Sequence, residues 1–373
     1  MNQIPRVGYI GCGAAGLTSA LDFNRRFGTK ALMFLDFNHP GHSNEVIKQG
    51  SVESCLEMKG QFELDFESNI DKFIQRSDWI CILSTSIGHE EIIEKFAKHK
   101  ENLKSINFVW FTGNGIGLIA HEKLEPLNTF ESSSIPYVCS AGSSEDGKIK
   151  ICVNAFKKRL VVASYHKPDD ETKLELEKIV GLPIDFENQS NFLELILVTY
   201  NGLLHPPIML NSQKEIQERR ELYFYRDLMT KEVCKETIQA WEELCEISNL
   251  LKLKQPDHPV KIANQNYGND YDLSIDGLRS WAAESDILNY RPNLPNSMKS
   301  RQLDEEMRSI CSIWFSIGKA LGVKMFTIES WLKRASEIND LNYFEIGRDL
   351  NFLGLNDDAG VDQIRERFKI SST

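Results

Sequence analysis

"RVGYIGCGAAGLTSALDF", residues 6–23, is the stretch on which the fold turns. A short apolar run, Val7 to Ile10, gives way to Gly11, Gly13 and Gly16, and then to Leu17, Ala20 and Leu21 at helical spacing. Glycines alone are ordinary turn residues, but between a strand and a helix they form a dinucleotide cradle. The first permits the tight turn, the second lets the backbone approach a pyrophosphate, and the third lets helix and strand pack closely. Together with Ala14 and Ala15 they present the free N–H groups of the helix start to the phosphates. A second strand pattern, "KALMFLD", ends in Asp36, twenty residues after Gly16. A carboxylate there accepts from a ribose 2′-OH and repels a 2′-phosphate, so the pattern predicts NAD(H) in preference to NADP(H), with NADP(H) still admitted.

Working outward, "DWICILST" (78–85) and "INFVWFTGNG" (106–115) read as buried strands, alternating with amphipathic helix such as "HEEIIEKFAKH". Such alternation predicts a parallel sheet with helices on both faces. "CLEMKGQFELDF" (55–66) reads as a small hairpin, and "GKIKICVNAF" with "RLVVAS" as strands extending the same sheet. The glycines of "TGNGIG" either line the crevice or are plain turn residues. Beyond about residue 190 the strand pattern stops, and long amphipathic helices follow at 230–253, 304–323 and 327–339. The predicted class is an α/β N-terminal Rossmann domain over 1–190 and an all-α C-terminal domain over 191–373.

A 373-residue chain with 41% hydrophobic and 26% charged residues can bury two sizeable cores. Its net charge of −11 argues against nucleic acid or an anionic membrane, which need clustered cations. Lys157, Lys158 and Arg159 form the nearest basic cluster and read as a solvated turn. Eight cysteines without a CxxC pair read as reduced, cytosolic thiols. With no leader pattern at the start and no apolar run approaching roughly 18 residues, the expectation is a cytoplasmic protein, with homodimerisation left open. Metal is not expected, because no helix carries HxxxH or HExxH. His39, His42, His89, His99 and His121 read as surface or loop histidines.

"YNGLLHPPIML" (200–210) holds His205 before two prolines. An imidazole beside a nicotinamide site can carry the proton that accompanies hydride transfer, though a buried histidine bound to a carbonyl is an equal reading. A proline disfavours helix for the residue before it, so His205 is expected at a break.

"NGLLHPPIMLN" resembles the segment that opens the helical domain of the octopine/nopaline (opine) dehydrogenases. "ESSSIPYVCSA", "YFYRDLMTKEVCKETIQAWEEL" and the run from Arg301 to "GRDLNFLGL" are similar to that family in order and spacing, over about residues 6–355. This includes the helical domain that the family shares with 6-phosphogluconate dehydrogenase-like C-terminal domains. The resemblance implies that His205 is the catalytic proton carrier and that Arg301 holds a substrate carboxylate. The carboxylate that orients the histidine falls on Glu306, where the family has Asp, with Asp304 as the fallback. It also implies substrate contacts from Cys139 and Asn201, although Asn201 is an equally good helix cap. Ser140 stands where an Arg is expected, and Gln302 where an aromatic is.

The implied activity is NAD(P)H-dependent reductive condensation of an amino acid with an α-keto acid to a secondary amine dicarboxylate. Simple reduction of a keto or 3-keto acid is the competing chemistry. A dinucleotide-binding sensor without activity is the competing class.

Overall fold

The computed structural model describes residues 4–36, 38–144, 146–186 and 191–370. The chain divides into two compact units, residues 1–187 and 188–373. The boundary expected at 190/191 adjoins residues 187–190, which lie outside the described residues.

The first unit is built on an eight-stranded sheet. Its strands are β1 (Val7–Ile10), β2 (Ala31–Phe34), β5 (Leu64–Glu67), β6 (Trp79–Ile82), β7 (Asn107–Phe111), β8 (Asn128–Ser132), β11 (Leu160–Ser164) and β12 (Ile184–Asp185). They run in the order β12-β11-β8-β7-β6-β1-β2-β5. All neighbours are parallel except β8 and β11. From β1 the chain moves outward one way through β2 and β5, then restarts on the other side of β1 at β6. The switch point between β1 and β6 is where a crevice opens beyond the strand ends. β1, β2, β6 and β7 are buried along their whole length, as strands covered on both faces must be.

A second, four-stranded sheet corrects the expectation that all later strands extend the first. β3 (Val52–Leu56), β4 (Gly60–Phe62), β9 (Tyr137–Ser143) and β10 (Ile149–Phe156) order as β4-β3-β10-β9. β3 and β4 do form the hairpin, whereas β5 leaves it to pair with β2. β10 alternates buried and half-buried residues along its length, the period of a sheet with one face on the core. That face packs into the same apolar cluster as the helix α1 (Ala14–Phe27), through Ile149, Ile151 and Val153.

Two cysteine readings change. Cys55 and Cys152 stand opposite each other in the parallel β3–β10 register and are joined by a disulfide, their Cα atoms 4.8 Å apart. The absence of CxxC speaks only to local pairing, and these two are 97 residues apart. The basic cluster changes as well: Lys157 is buried, and Arg159 pairs with Asp185 at 2.5 Å. Among the histidines, His89 is fully buried against Trp110, and His121 is buried and stacked on Tyr165 at 3.6 Å.

The second unit is helical. Phe192–Leu197 and Tyr200–Asn211 together form an apolar stretch with mean hydropathy 1.2, long enough to span a membrane, which corrects the expectation that no run approaches that length. It is 89% buried inside the protein and serves as a core helix. Lys231–Leu250, Ile275–Glu284 and Phe326–Asn339 are among the helices of this unit. Thr230 caps the first of these by accepting from the Val233 N–H, and Ser274 caps the second by accepting from the Gly277 N–H.

Candidate functional site

In the first unit the glycine turn has the geometry a phosphate cradle requires. Gly11 has φ +105°, in the left-handed region, and a Cβ there would lie 2.8 Å from the Leu83 carbonyl. A Cβ on Gly16 would come within 1.7 Å of the Gly11 carbonyl, so only glycine lets α1 approach β1. A Cβ on Gly13 would meet nothing within 4 Å, which leaves open space over the backbone. Gly13 is the N-cap of α1 without a side-chain cap, and no acidic residue lies in the first turn, where Ala14 and Ala15 stand half-buried. Free N–H groups, a positive dipole end and open space fit a pyrophosphate.

Asp36 lies just beyond β2 and is half-buried. Its Oδ1 accepts the Asn38 N–H at 3.0 Å, and its Oδ2 is 2.5 Å from Lys95 Nζ. Burial pushes this carboxyl up, but the hydrogen bonds from Lys95 and Asn38 outweigh it and hold it below the ordinary aspartate range. Asp36, His39 and Lys95 line a cavity of about 150 Å³ with Gly11, Thr85 and Ile92. The "TGNGIG" segment is a strained turn, with Thr112 at φ 58° and Asn114 at φ 55°. Glu131, fully buried, fixes it by accepting from the Gly115 and Gly117 N–H groups at 2.8 and 2.7 Å. Glu131 was not foreseen, since one acidic residue in a strand carries no signal of the turn it serves. Cys139 lies on β9 in the four-stranded sheet, opposite Val153, with Ser140 opposite Cys152.

In the second unit the expected break at His205 is absent. The Tyr200–Asn211 helix runs straight through Pro206 and Pro207. A proline removes the N–H that would have served the carbonyl four residues earlier, here those of Gly202 and Leu203. Both carbonyls find replacements: Cys311 Sγ lies 3.9 Å from the first, and Thr237 Oγ1 donates to the second at 3.2 Å. The tertiary packing thus overrides the local rule.

Within that helix His205 is buried. Its Nδ1 is 3.1 Å from Glu306 Oε1 and its Nε2 is 3.0 Å from the Tyr225 hydroxyl. A carboxylate can only accept, so Nδ1–H donates to Glu306, and Nε2 is left to exchange a proton with Tyr225 or a ligand. Glu306 ends a short helical turn, Asp304–Glu306, that runs into a π-helix over Met307–Cys311, a distortion often found at functional sites. Its Oε2 is buried without a protein partner among the described residues. Asp304 is engaged elsewhere, with Arg308 at 3.0 Å and the Tyr343 hydroxyl at 2.7 Å.

Tyr225 was not picked out from sequence. It sits in "YFYRDL", where nothing marks one aromatic above its neighbours. Burial pushes its hydroxyl pKa up, the neighbouring Tyr267 and Glu306 add to this, and Arg301 opposes it. Arg301 is exposed in the turn before Asp304, near enough to act on Tyr225. Asn201 lies one turn before His205, and the N-cap of the helix is Thr199, so Asn201 is not the cap. Trp281 packs against both Tyr225 and Tyr200, each at 5.9 Å between ring centroids. The Tyr200 hydroxyl and Trp281 Nε1 are buried donors without a partner among the described residues.

Residues 188–339 match the family model described as NAD/NADP octopine/nopaline dehydrogenase, alpha-helical domain. The ocs protein of Agrobacterium vitis is 23% identical over 357 residues, covering 94% of this chain and 95% of that one. Over residues 188–339 the chain is thus similar to the helical domain of the octopine/nopaline dehydrogenases, and over nearly its whole length to the ocs protein. It also shares the fold of two solved structures. An octopine dehydrogenase solved with NADH and L-arginine superposes with a TM-score of 0.73 at 14% identity, covering 99% of this chain and all of that one. A yersinopine dehydrogenase with NADP+ bound gives 0.67 at 13%, covering 98% and 99%.

Proposed function

We propose that this opine dehydrogenase-like chain joins an amino acid to an α-keto acid through an imine and reduces that imine with NAD(P)H to a secondary amine dicarboxylate. The observation that carries the reading is His205, buried between Glu306 and Tyr225 inside the segment that matches the family model. A nicotinamide dinucleotide supplies the hydride. Gly11, Gly13, Ala14, Ala15 and Gly16 would hold its pyrophosphate, and Asp36 its adenosine ribose with NAD(H) preferred.

Reduction of the imine carbon requires a proton at nitrogen, and His205 is the carrier. Glu306, through Nδ1–H, holds the ring so that Nε2 gives up its proton and then regains it from solvent. Arg301 would hold a substrate carboxylate by its planar fork, and Asn201, Tyr200 and Trp281, all of the second unit, would complete the contacts there.

The test follows NADH oxidation with an amino acid and a keto acid supplied separately and together, over a panel of amino acids with pyruvate and 2-oxoglutarate. Turnover is expected only with both substrates. Turnover with a keto acid alone makes the chain a simple reductase. Nucleotide binding without turnover across the panel leaves a dinucleotide sensor.

A further inference from the structure

We propose that Lys95 is a cofactor-specificity residue that lets the nucleotide site accept a 2′-phosphate despite Asp36, an inference that rests on the dinucleotide reading of that site. A carboxylate in the position of Asp36 discriminates by charge, since it attracts a ribose 2′-OH and repels a phosphate. Here that charge does not stand alone. Lys95 Nζ is 2.5 Å from Asp36 Oδ2 and 3.7 Å from Glu91 Oε1, on the same wall of the cavity. Glu91 in turn meets His39 Nε2 through its other oxygen, at 2.7 Å.

An ammonium has three N–H donors, of which Asp36 engages one. A phosphate entering beside Asp36 would therefore meet a compact cation already in place, while a 2′-hydroxyl would use the carboxylate's remaining lone pairs. Asp36 and Lys95 are both partly open, with side chains 21% and 28% exposed, so an incoming nucleotide can reach either. An ion pair with a merely structural role would affect both nucleotides alike. A specificity pair acts on the ratio of their affinities.

The test titrates the full chain with NADH and NADPH and compares dissociation constants. Lys95→Gln is expected to weaken NADPH at least about ten-fold more than NADH, because it removes the cation and keeps the carboxylate. Asp36→Asn is expected to shift the ratio at least about ten-fold the other way, because the carboxylate charge paired most closely with Lys95 is then gone while the cation remains. The double variant should show a smaller shift than Asp36→Asn alone. Equal weakening of both nucleotides by Lys95→Gln, or no change in the ratio, overturns the role of Lys95 while leaving the dinucleotide site intact. An unaltered chain that binds neither nucleotide overturns the reading of the site itself.

Discussion

His205 has both ring nitrogens engaged, and the two partners have different work. Glu306 sets the tautomer, while Tyr225 marks the side from which a proton can leave or arrive. His205→Ala is expected to lower kcat by about a hundred- to ten-thousand-fold without loss of nucleotide binding, whereas Glu306→Gln, a positioning change, should cost less and move the pH profile of kcat. Near-full turnover in His205→Ala would remove the histidine from the reaction. Lys157 makes a second residue-scale case. Burial pulls its amine down to about 8, against an ordinary value near 10.4. Below pH 8 the folded state bears the cost of a buried charge. Between about 8 and 10.4 the unfolded chain holds more protons than the folded one, so stability rises with pH through that window. Lys157→Met should therefore stabilise the protein at pH 7 by about 2–3 kcal/mol, with the gain fading by pH 10. Denaturant unfolding at both pH values checks this, and an equal gain at both would contradict it.

At the scale of single elements, what could be read from sequence depended on whether the signal was local. The glycine turn was legible because its demands are largely local: Gly11 takes φ +105°, and a Cβ on Gly16 would strike the Gly11 carbonyl five residues earlier. The helix over Tyr200–Asn211 was misread at His205 because the partners that replace its lost hydrogen bonds lie far along the chain, at Thr237 and Cys311. Glu306 was reached only through the family resemblance, which places the orienting carboxylate five residues after Arg301, while Tyr225, Lys95 and Glu131 gave no local sign of the groups they contact. The Pro207 compensation can be tested directly. Thr237→Val keeps the shape but removes the donor to the Leu203 carbonyl, and should destabilise the protein by about 1–3 kcal/mol, the cost of a buried polar group left without a partner. Thermal or denaturant unfolding that matches the parent protein would show that the helix tolerates the free carbonyl.

At the scale of the whole molecule, the two-unit organisation was legible from the change of period near residue 190, because strand and helix patterns differ along the sequence itself. The separation of β3, β4, β9 and β10 into their own sheet was not, since strand patterns do not say which edge a strand joins. The bond between Cys55 and Cys152 lies in that second sheet and spans 97 positions of sequence. β4 to β9 lie inside the loop it closes, including three central strands of the larger sheet. One consequence shows in a proteolysis experiment. A single protease cut anywhere between residues 55 and 152 would leave two fragments still covalently attached. On a denaturing gel the nicked protein should migrate as one species without reductant and as two with it. Separation into fragments without reductant would show that the two strands are held by hydrogen bonds alone.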